Sequence, residues 1–209
     1  MVGKRPNSMR NLDKAIRRFG TTDDEYLRNR MIVSNTVIAQ MMPEVVVKGG
    51  SALKLSYLGR PWCTVAFELG HNEIGDADNP EYVYPAEAAR MLVDMGFSDP
   101  APIPMMPLRY QIAQKLHGLS EPGSRRAHDL IDLQVIVANE QVNYGEVRGI
   151  CERLYKYRRL QAWPAYVQKG ENWEDLYAQQ LLPEPVLQNL DEAIDWVNAF
   201  IGEIDETGE

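Results

Sequence analysis

Five groups of residues in this chain have the types and spacing that phosphate chemistry uses. Lys48-Gly49-Gly50-Ser51 follows the β-branched run Val45-Val46-Val47, which predicts a strand, a tight turn and a helix opening at Ser51 and running over about 51–58. Backbone N–H groups at such a turn, backed by a helix N-terminus, cradle a phosphate, with Lys48 adding charge and Ser51 a hydroxyl. Any strand-to-helix turn also asks for glycine, so this feature alone is weak. In Thr64-Val65-Ala66-Phe67-Glu68-Leu69 the apolar residues alternate. Two carboxylates at alternate positions of one strand share a face and can hold the magnesium ions that bridge nucleotide phosphates. Glu68 is one such acid, but its same-face neighbour is Ala66, which leaves an ordinary strand with one exposed glutamate as the simpler reading.

The other three groups lie further along. Lys115 stands beside an apolar stripe of Ile112, Leu116 and Leu119. There it either snorkels to solvent or reaches a phosphate. Ser124 is placed to cap a helix that carries Arg125, Asp129 and Asp132 one turn apart. These form intrahelical pairs worth roughly 0.2–0.5 kcal/mol each. Otherwise they supply a carboxylate that fixes Lys115 or assists removal of a proton. His117 and His128 lack a third ligand at metal spacing and read as surface or hydrogen-bonded histidines. Arg148, Lys156 and Arg159 interleave with Tyr155 and Tyr157, and Trp163 follows. That mixture suits an RNA strand, which offers phosphates and stackable bases, and equally a solvated helix face whose aromatics are core.

The elements that must position these residues fall into two halves. Residues 8–19 read as a short amphipathic helix. Thr21 or Thr22 caps a second helix that Pro43 stops. Residues 70–84 are loop-like, Pro85 opens a helix that Gly96 ends, and Ile103 with Met105 suits a short edge strand in a proline-rich connector. Beyond it only helices are expected, at about 108–119, 125–139, 143–160, 172–180 and 185–205. This predicts an α+β chain, with an α/β core and N-terminal helices over 1–106 and a helical lobe over 107–209. The tail from Trp173 onward reads as packing.

Bulk composition narrows the function. The chain has 209 residues and a net charge of −8, which argues against a generic nucleic-acid coat and leaves room for a local basic patch. No apolar run approaches the ~18 residues of a membrane helix, and no apolar segment follows the basic N-terminus, so a cytoplasmic protein with no membrane partner is expected. Cys63 and Cys151 lie far apart and read as reduced thiols.

In this order, Val47–Leu53, then Gln111-Ile112-Ala113-Gln114-Lys115-Leu116-His117-Gly118-Leu119, then Arg126-Ala127-His128-Asp129-Leu130-Ile131-Asp132-Leu133 resemble the AbiEii/AbiGii toxin family of nucleotidyltransferases. The resemblance covers roughly residues 30–140. It implies a polymerase β-like mixed-sheet core and a helical C-terminal lobe. It implies membership of a type IV toxin–antitoxin or phage-defence system, with an antitoxin as partner. It further implies transfer of a nucleotide from an NTP, with Mg2+, to an acceptor such as tRNA. Carried over, Lys48, Gly49, Gly50, Ser51 and Thr64 contact the nucleotide, Lys115 serves phosphate, and Asp129 and Glu68 are active-site carboxylates, Glu68 also a metal ligand. The family's acidic motif reads Ser/Thr, any residue, Asp, apolar, Asp, whereas this chain has Thr64, Val65, Ala66, Phe67, Glu68. One aspartate is missing and the other is glutamate. The expectation is a weak or inactive transferase, through an engineered change, a natural degenerate copy or a lost segment. The alternative is a non-catalytic module of the same fold that sequesters an antitoxin or an RNA.

Overall fold

The computed structural model describes residues 4–42, 50–67, 72–180 and 184–207, with side chains described except at 50–54 and 66–67. The chain divides into two compact units, Met1–Asn72 with Ala77–Met106, and Glu73–Asp76 with Pro107–Glu209.

The first unit mixes helices and strands. Helix α1 (Met9–Arg17) starts where the Ser8 side chain accepts from the Asn11 N–H, and it buries Leu12, Ala15 and Ile16. Helix α2 (Asp23–Met41) opens with a reciprocal capping box between Thr22 and Glu25. Strands β1 (Gly50–Tyr57) and β2 (Arg60–Phe67) form an antiparallel hairpin, and β3 (Glu81–Val83) pairs with β4 (Ile103–Met105) in a second two-stranded sheet. Between them lies α3 (Ala86–Asp94). Leu12, Ile16, Val33, Ile38, Leu55, Trp62, Met91 and Met95 make the core of this unit.

Residues 51–58, expected as a helix, are mostly strand. Leu53, Leu55 and Tyr57 alternate with Lys54 and Ser56, and Leu55 is buried while Ser56 is exposed, a period of two rather than 3.6. The turn is Leu58-Gly59, with φ of 49° and 75°. Both lie in the left-handed region that a two-residue hairpin loop requires, and glycine enters it without strain. The helix N-terminus expected behind the glycine turn is therefore absent from residues 50–57. The strand expected over 44–48 lies outside the described residues. Glu81–Val83, expected as loop, is strand because it pairs with Ile103–Met105.

The second unit is helical: α4 (Leu108–Ser120), α5 (His128–Asn139), α6 (Tyr144–Arg158), α7 (Trp173–Ala178) and α8 (Leu190–Glu206). Ile112, Leu116, Leu130, Leu133, Leu154, Trp173, Val197 and Ile204 meet in one core. Helix α5 begins at His128, not near 125, because Ser124 is used otherwise: its hydroxyl donates to the Gly118 carbonyl at 2.6 Å and accepts from the Arg126 N–H at 3.2 Å. That local turn holds the chain out of helix. Helix α8 begins at Leu190, not near 185, where the Asn189 side chain accepts from the N–H groups of Asp191 and Glu192. Residues 73–76 dock on this unit. Arg158 binds Glu73, Arg153 donates to the Ile74 carbonyl, and Gln114 donates to the buried Asp76. Among the described residues no helix is long and apolar enough to cross a membrane. Cys63 and Cys151 are free thiols.

Candidate active site

Lys115 and Asp129 come together because α4 and α5 are antiparallel neighbours packed through apolar residues. Ile112, Leu116, Leu130 and Leu133 are all fully buried. Lys115 lies at the edge of the α4 stripe and Asp129 in the first turn of α5, where a carboxylate faces the positive end of the helix dipole. Lys115 Nζ donates to Asp129 Oδ1 at 2.9 Å and to Asp132 Oδ2 at 2.6 Å. Arg126 Nε donates to the second oxygen, Asp129 Oδ2, at 2.5 Å. His128 Nε2 stands 3.6 Å from Asp129 Oδ1. Gly118 leaves room for this arrangement, since a Cβ there would stand 2.7 Å from Arg126 Nε.

Burial and charge act in opposite senses on Lys115. Its side chain is 19% exposed, and that burial alone would lower the ammonium pKa, but Asp129 and Asp132 outweigh it and hold the pKa above its ordinary value. The group stays protonated at neutral pH and is a cation and donor, not a base. Two of its three N–H groups are committed, which leaves one for a phosphoryl oxygen. Asp129 is 0% exposed and both its oxygens accept charged hydrogen bonds. Of the two roles raised for it, the geometry favours fixing Lys115 over taking a proton from an acceptor hydroxyl, which would need an accessible oxygen.

The other expected site residues separate into those placed and those not. Lys48, Gly49 and Glu68 lie outside the described residues. The hairpin register sets Gly50 and Ser51 opposite Phe67, next to Ala66, so the end of the glycine turn and the acidic frame share one end of one ribbon. Thr64 is exposed on β2, opposite Lys54, and lines a cleft of about 370 Å³ with Arg30, Ser34 and Cys63. Lys156, Arg159 and Trp163 line a cleft of about 360 Å³ with Tyr155 and Gln161. Arg148 does not line it: its guanidinium stands 3.2 Å from Glu152 and 3.6 Å from Asp205. The structure thus keeps Lys156 and Arg159 together on one cleft and ties Arg148 to acids.

A magnesium site does not fit the described residues. They contain no group of three His, Cys, Asp or Glu side chains placed to share an ion. Ala66 offers no donor atom, and Asp129 is already neutralised by Lys115 and Arg126.

His117 was expected at the surface or hydrogen-bonded. It is buried, and its Nδ1 lies 3.2 Å from Arg158 Nη1, which can only donate. Burial first, and the Arg158 charge second, lower its pKa to about 4, with Glu73 opposing weakly. A histidine with a depressed native pKa stabilises the fold when neutral. That contribution is full above its unfolded value, about 6.5, and is lost as pH falls toward 4. The urea midpoint of the protein will accordingly fall across this window, and His117→Gln, which retains an acceptor for Arg158, will flatten the fall. An equal slope in the variant would refute the assignment. Neither the burial of His117 nor its Arg158 partner was legible in the sequence, because both depend on residues 41 and 44 positions later in the chain.

Residues 1–201 match the family model for the nucleotidyl transferase AbiEii toxin of type IV toxin–antitoxin systems. The match spans most of the chain, and the protein belongs to that family. No curated protein matches it.

Proposed function

We propose that this chain is a nucleotidyltransferase toxin of polymerase β-like type that transfers NMP from an NTP to an RNA acceptor such as tRNA, weakly or not at all with the present residue 66. The single observation that carries the reading is the Lys115 ammonium, held by the buried Asp129 with one donor still open. In this reading, as the family resemblance implies, Lys48, Gly49, Gly50 and Ser51 are nucleotide contacts, and Lys115 is a phosphate contact. The acceptor hydroxyl attacks the α-phosphorus and gives up its proton to solvent, the bond from the α-phosphorus to the α–β bridging oxygen breaks, and pyrophosphate leaves carrying the displaced charge. A fixed cation stabilises charge that grows in this transition state and needs no reorganisation to do so. The hairpin register, which sets Ser51 beside the acidic frame, supports a shared nucleotide end for the first two motifs. With strand rather than helix after Ser51, binding there rests on local amides, Ser51 and Lys48.

Position 66 accounts for the expected weakness. A missing carboxylate removes stabilisation worth several kcal/mol, and ~1.4 kcal/mol is tenfold in rate. The test is incorporation of labelled NTP into total RNA. Near-background transfer is expected as the chain stands, a large gain in Ala66→Asp, and loss of that gain when Lys115→Met is added. Lys48→Ala will abolish any NTP-dependent thermal shift. No gain from Ala66→Asp would reject inactivation at this position. An NTP-induced shift unchanged by Lys48→Ala would reject the glycine turn as the nucleotide site.

Ala66 also favours a second reading, a non-catalytic module that sequesters an RNA or the system's antitoxin. A stable RNA or protein partner recovered from the source cytosol, with no effect of NTP, would select it.

A further inference from the structure

Four cations gather around one hollow near the start of the chain, in a segment that none of the groups considered above uses. Lys4, Arg5, Asn7, Asn11, Lys14 and Arg18 line a concavity of about 460 Å³, with Ala15 at its floor. Asn7, Asn11, Lys14 and Arg18 are spaced i, i+4, i+7 and i+11, one face of α1 and its approach. The opposite face, Leu12 and Ile16, is buried in the core. None of the four cations has a carboxylate partner among the described residues, in a protein whose net charge is −8. By contrast Arg17, one residue from Arg18, is paired with Asp23.

The arm that carries Lys4 and Arg5 is anchored. The Arg5 guanidinium lies 4.7 Å over the Phe97 ring, and Tyr57 donates its hydroxyl to the Pro6 carbonyl. Asn11 donates to Asn7 at 2.7 Å, which leaves an amide N–H of Asn7 and the Asn11 carbonyl able to meet polar groups. Four cations without carboxylate partners around one hollow repel one another, and apart from Arg5 on Phe97 no packing contact among the described residues offsets that cost.

We propose that this cleft binds the sugar–phosphate backbone of a single strand of nucleic acid, with Lys14 and Arg18 on successive phosphates. Four residues of helix rise ~6 Å, on the order of the separation of neighbouring phosphates along a strand. Lys14 and Arg18 have that spacing, and asparagine amides suit phosphate and sugar oxygens. A membrane surface is a poorer occupant, because the apolar face that an interfacial helix would insert is used in the core. The proposal does not rest on the transfer reading, since binding is measured with no NTP present.

The experiment is fluorescence anisotropy of a labelled oligouridylate with the full chain, across a salt series. Lys14→Gln and Arg18→Gln will each weaken binding and lower the slope of log affinity against log salt by about 0.7 for every phosphate no longer neutralised, and the double variant will bind roughly tenfold or more weakly. Arg18→Lys will keep the slope, as will Arg90→Gln, which changes an exposed cation on α3. The thermal midpoint will not move, because Lys14 and Arg18 are unpaired among the described residues and their charged ends face the open cleft. The proposal is overturned if the double variant binds as the parent does, or if Arg90→Gln weakens binding equally. It is also overturned if inorganic tripolyphosphate competes as well as the oligonucleotide, which would mark a small-anion site, or if only anionic vesicles or an acidic peptide bind.

Discussion

Lys115→Met will destabilise the protein by about 3 kcal/mol, and Asp129→Leu added to it will restore most of that stability without restoring activity. The first change leaves a fully buried carboxylate with Arg126 as its remaining close partner. Breaking a buried pair from one side typically costs 3–5 kcal/mol, whereas replacing both charges by apolar groups of similar volume is often neutral or stabilising. The expected order of stability is therefore parent close to the double variant, with Lys115→Met well below both. The urea midpoint at constant m-value reads this directly. In an Ala66→Asp background, made active as proposed above, nucleotide transfer will be abolished in Lys115→Met and will stay abolished in the double variant. A double variant that recovers both stability and transfer would show that the pair merely fastens α4 to α5.

The pH dependence separates this pair from His117. The Lys115 pKa is raised in the fold, so its contribution is complete below its unfolded value near 10.4 and declines only as pH climbs through the still higher native value. Between pH 8 and about 5 it contributes no slope. The decline expected between about 6.5 and 4 belongs to His117, whose native form is neutral. Tyr155 and Cys151, also raised by burial, titrate at high pH, and Glu25, lowered by its Thr21 and Thr22 hydrogen bonds, adds at low pH. Each group is therefore read as the difference in slope between parent and variant, Lys115→Met above pH 10 and His117→Gln below pH 6.5.

What the sequence revealed tracks the range over which each feature is determined. Helices α1, α2, α3, α4 and α6 were legible because local signals agree: a threonine cap at 21 or 22, Pro85 at a helix start, Gly20 and Gly96 at helix ends, and apolar spacing of three and four. Lys115 and Asp129 were legible as partners because helix spacing put each on the inner edge of its own element and the loop between them is short. The β1–β2 hairpin was hidden because Leu58-Gly59 also reads as the end of a helix, although the alternation of Leu53, Leu55 and Tyr57 carried a period of two. The late start of α5 was hidden because Ser124 bonds to Gly118, six residues back, instead of capping forward. The basic cleft was not legible because its cations come from both a helix face and a separate arm. The contacts of Arg5 with Phe97 and Pro6 with Tyr57, distant in sequence, bring that arm into place. The acidic motif marks the opposite case: Ala66 is plain in the sequence, and no fold can supply the missing carboxylate at that position.

Gly170→Ala will damage the helical unit more than any surface change, and will do so through the loop that positions Arg126. A Cβ at Gly170 would stand 2.0 Å from the Ser124 carbonyl oxygen and 2.3 Å from Trp173 Nε1. Neither neighbour can move cheaply. Trp173 is fully buried and donates to that same carbonyl at 2.6 Å, and Ser124 is bound back to Gly118. Relief requires either parting the indole from its acceptor, which leaves a buried N–H unsatisfied, or shifting the 121–127 loop. The first costs about 1–3 kcal/mol and overpacking adds a similar amount, so a total of about 3 kcal/mol and a fall in Tm on the order of 10 °C are expected. If the loop yields instead, Arg126 moves off Asp129 and the Lys115 ammonium is left without the carboxylate geometry that holds it. Trp173→Phe distinguishes the two routes: it removes the N–H and the indole's share of the clash but not the contact with the Ser124 carbonyl, so the pair Gly170→Ala/Trp173→Phe will be more stable than Gly170→Ala alone if the indole is the obstacle. If the pair gains nothing, the backbone of Ser124 is the fixed point, and the damage will then reach transfer activity as well as stability.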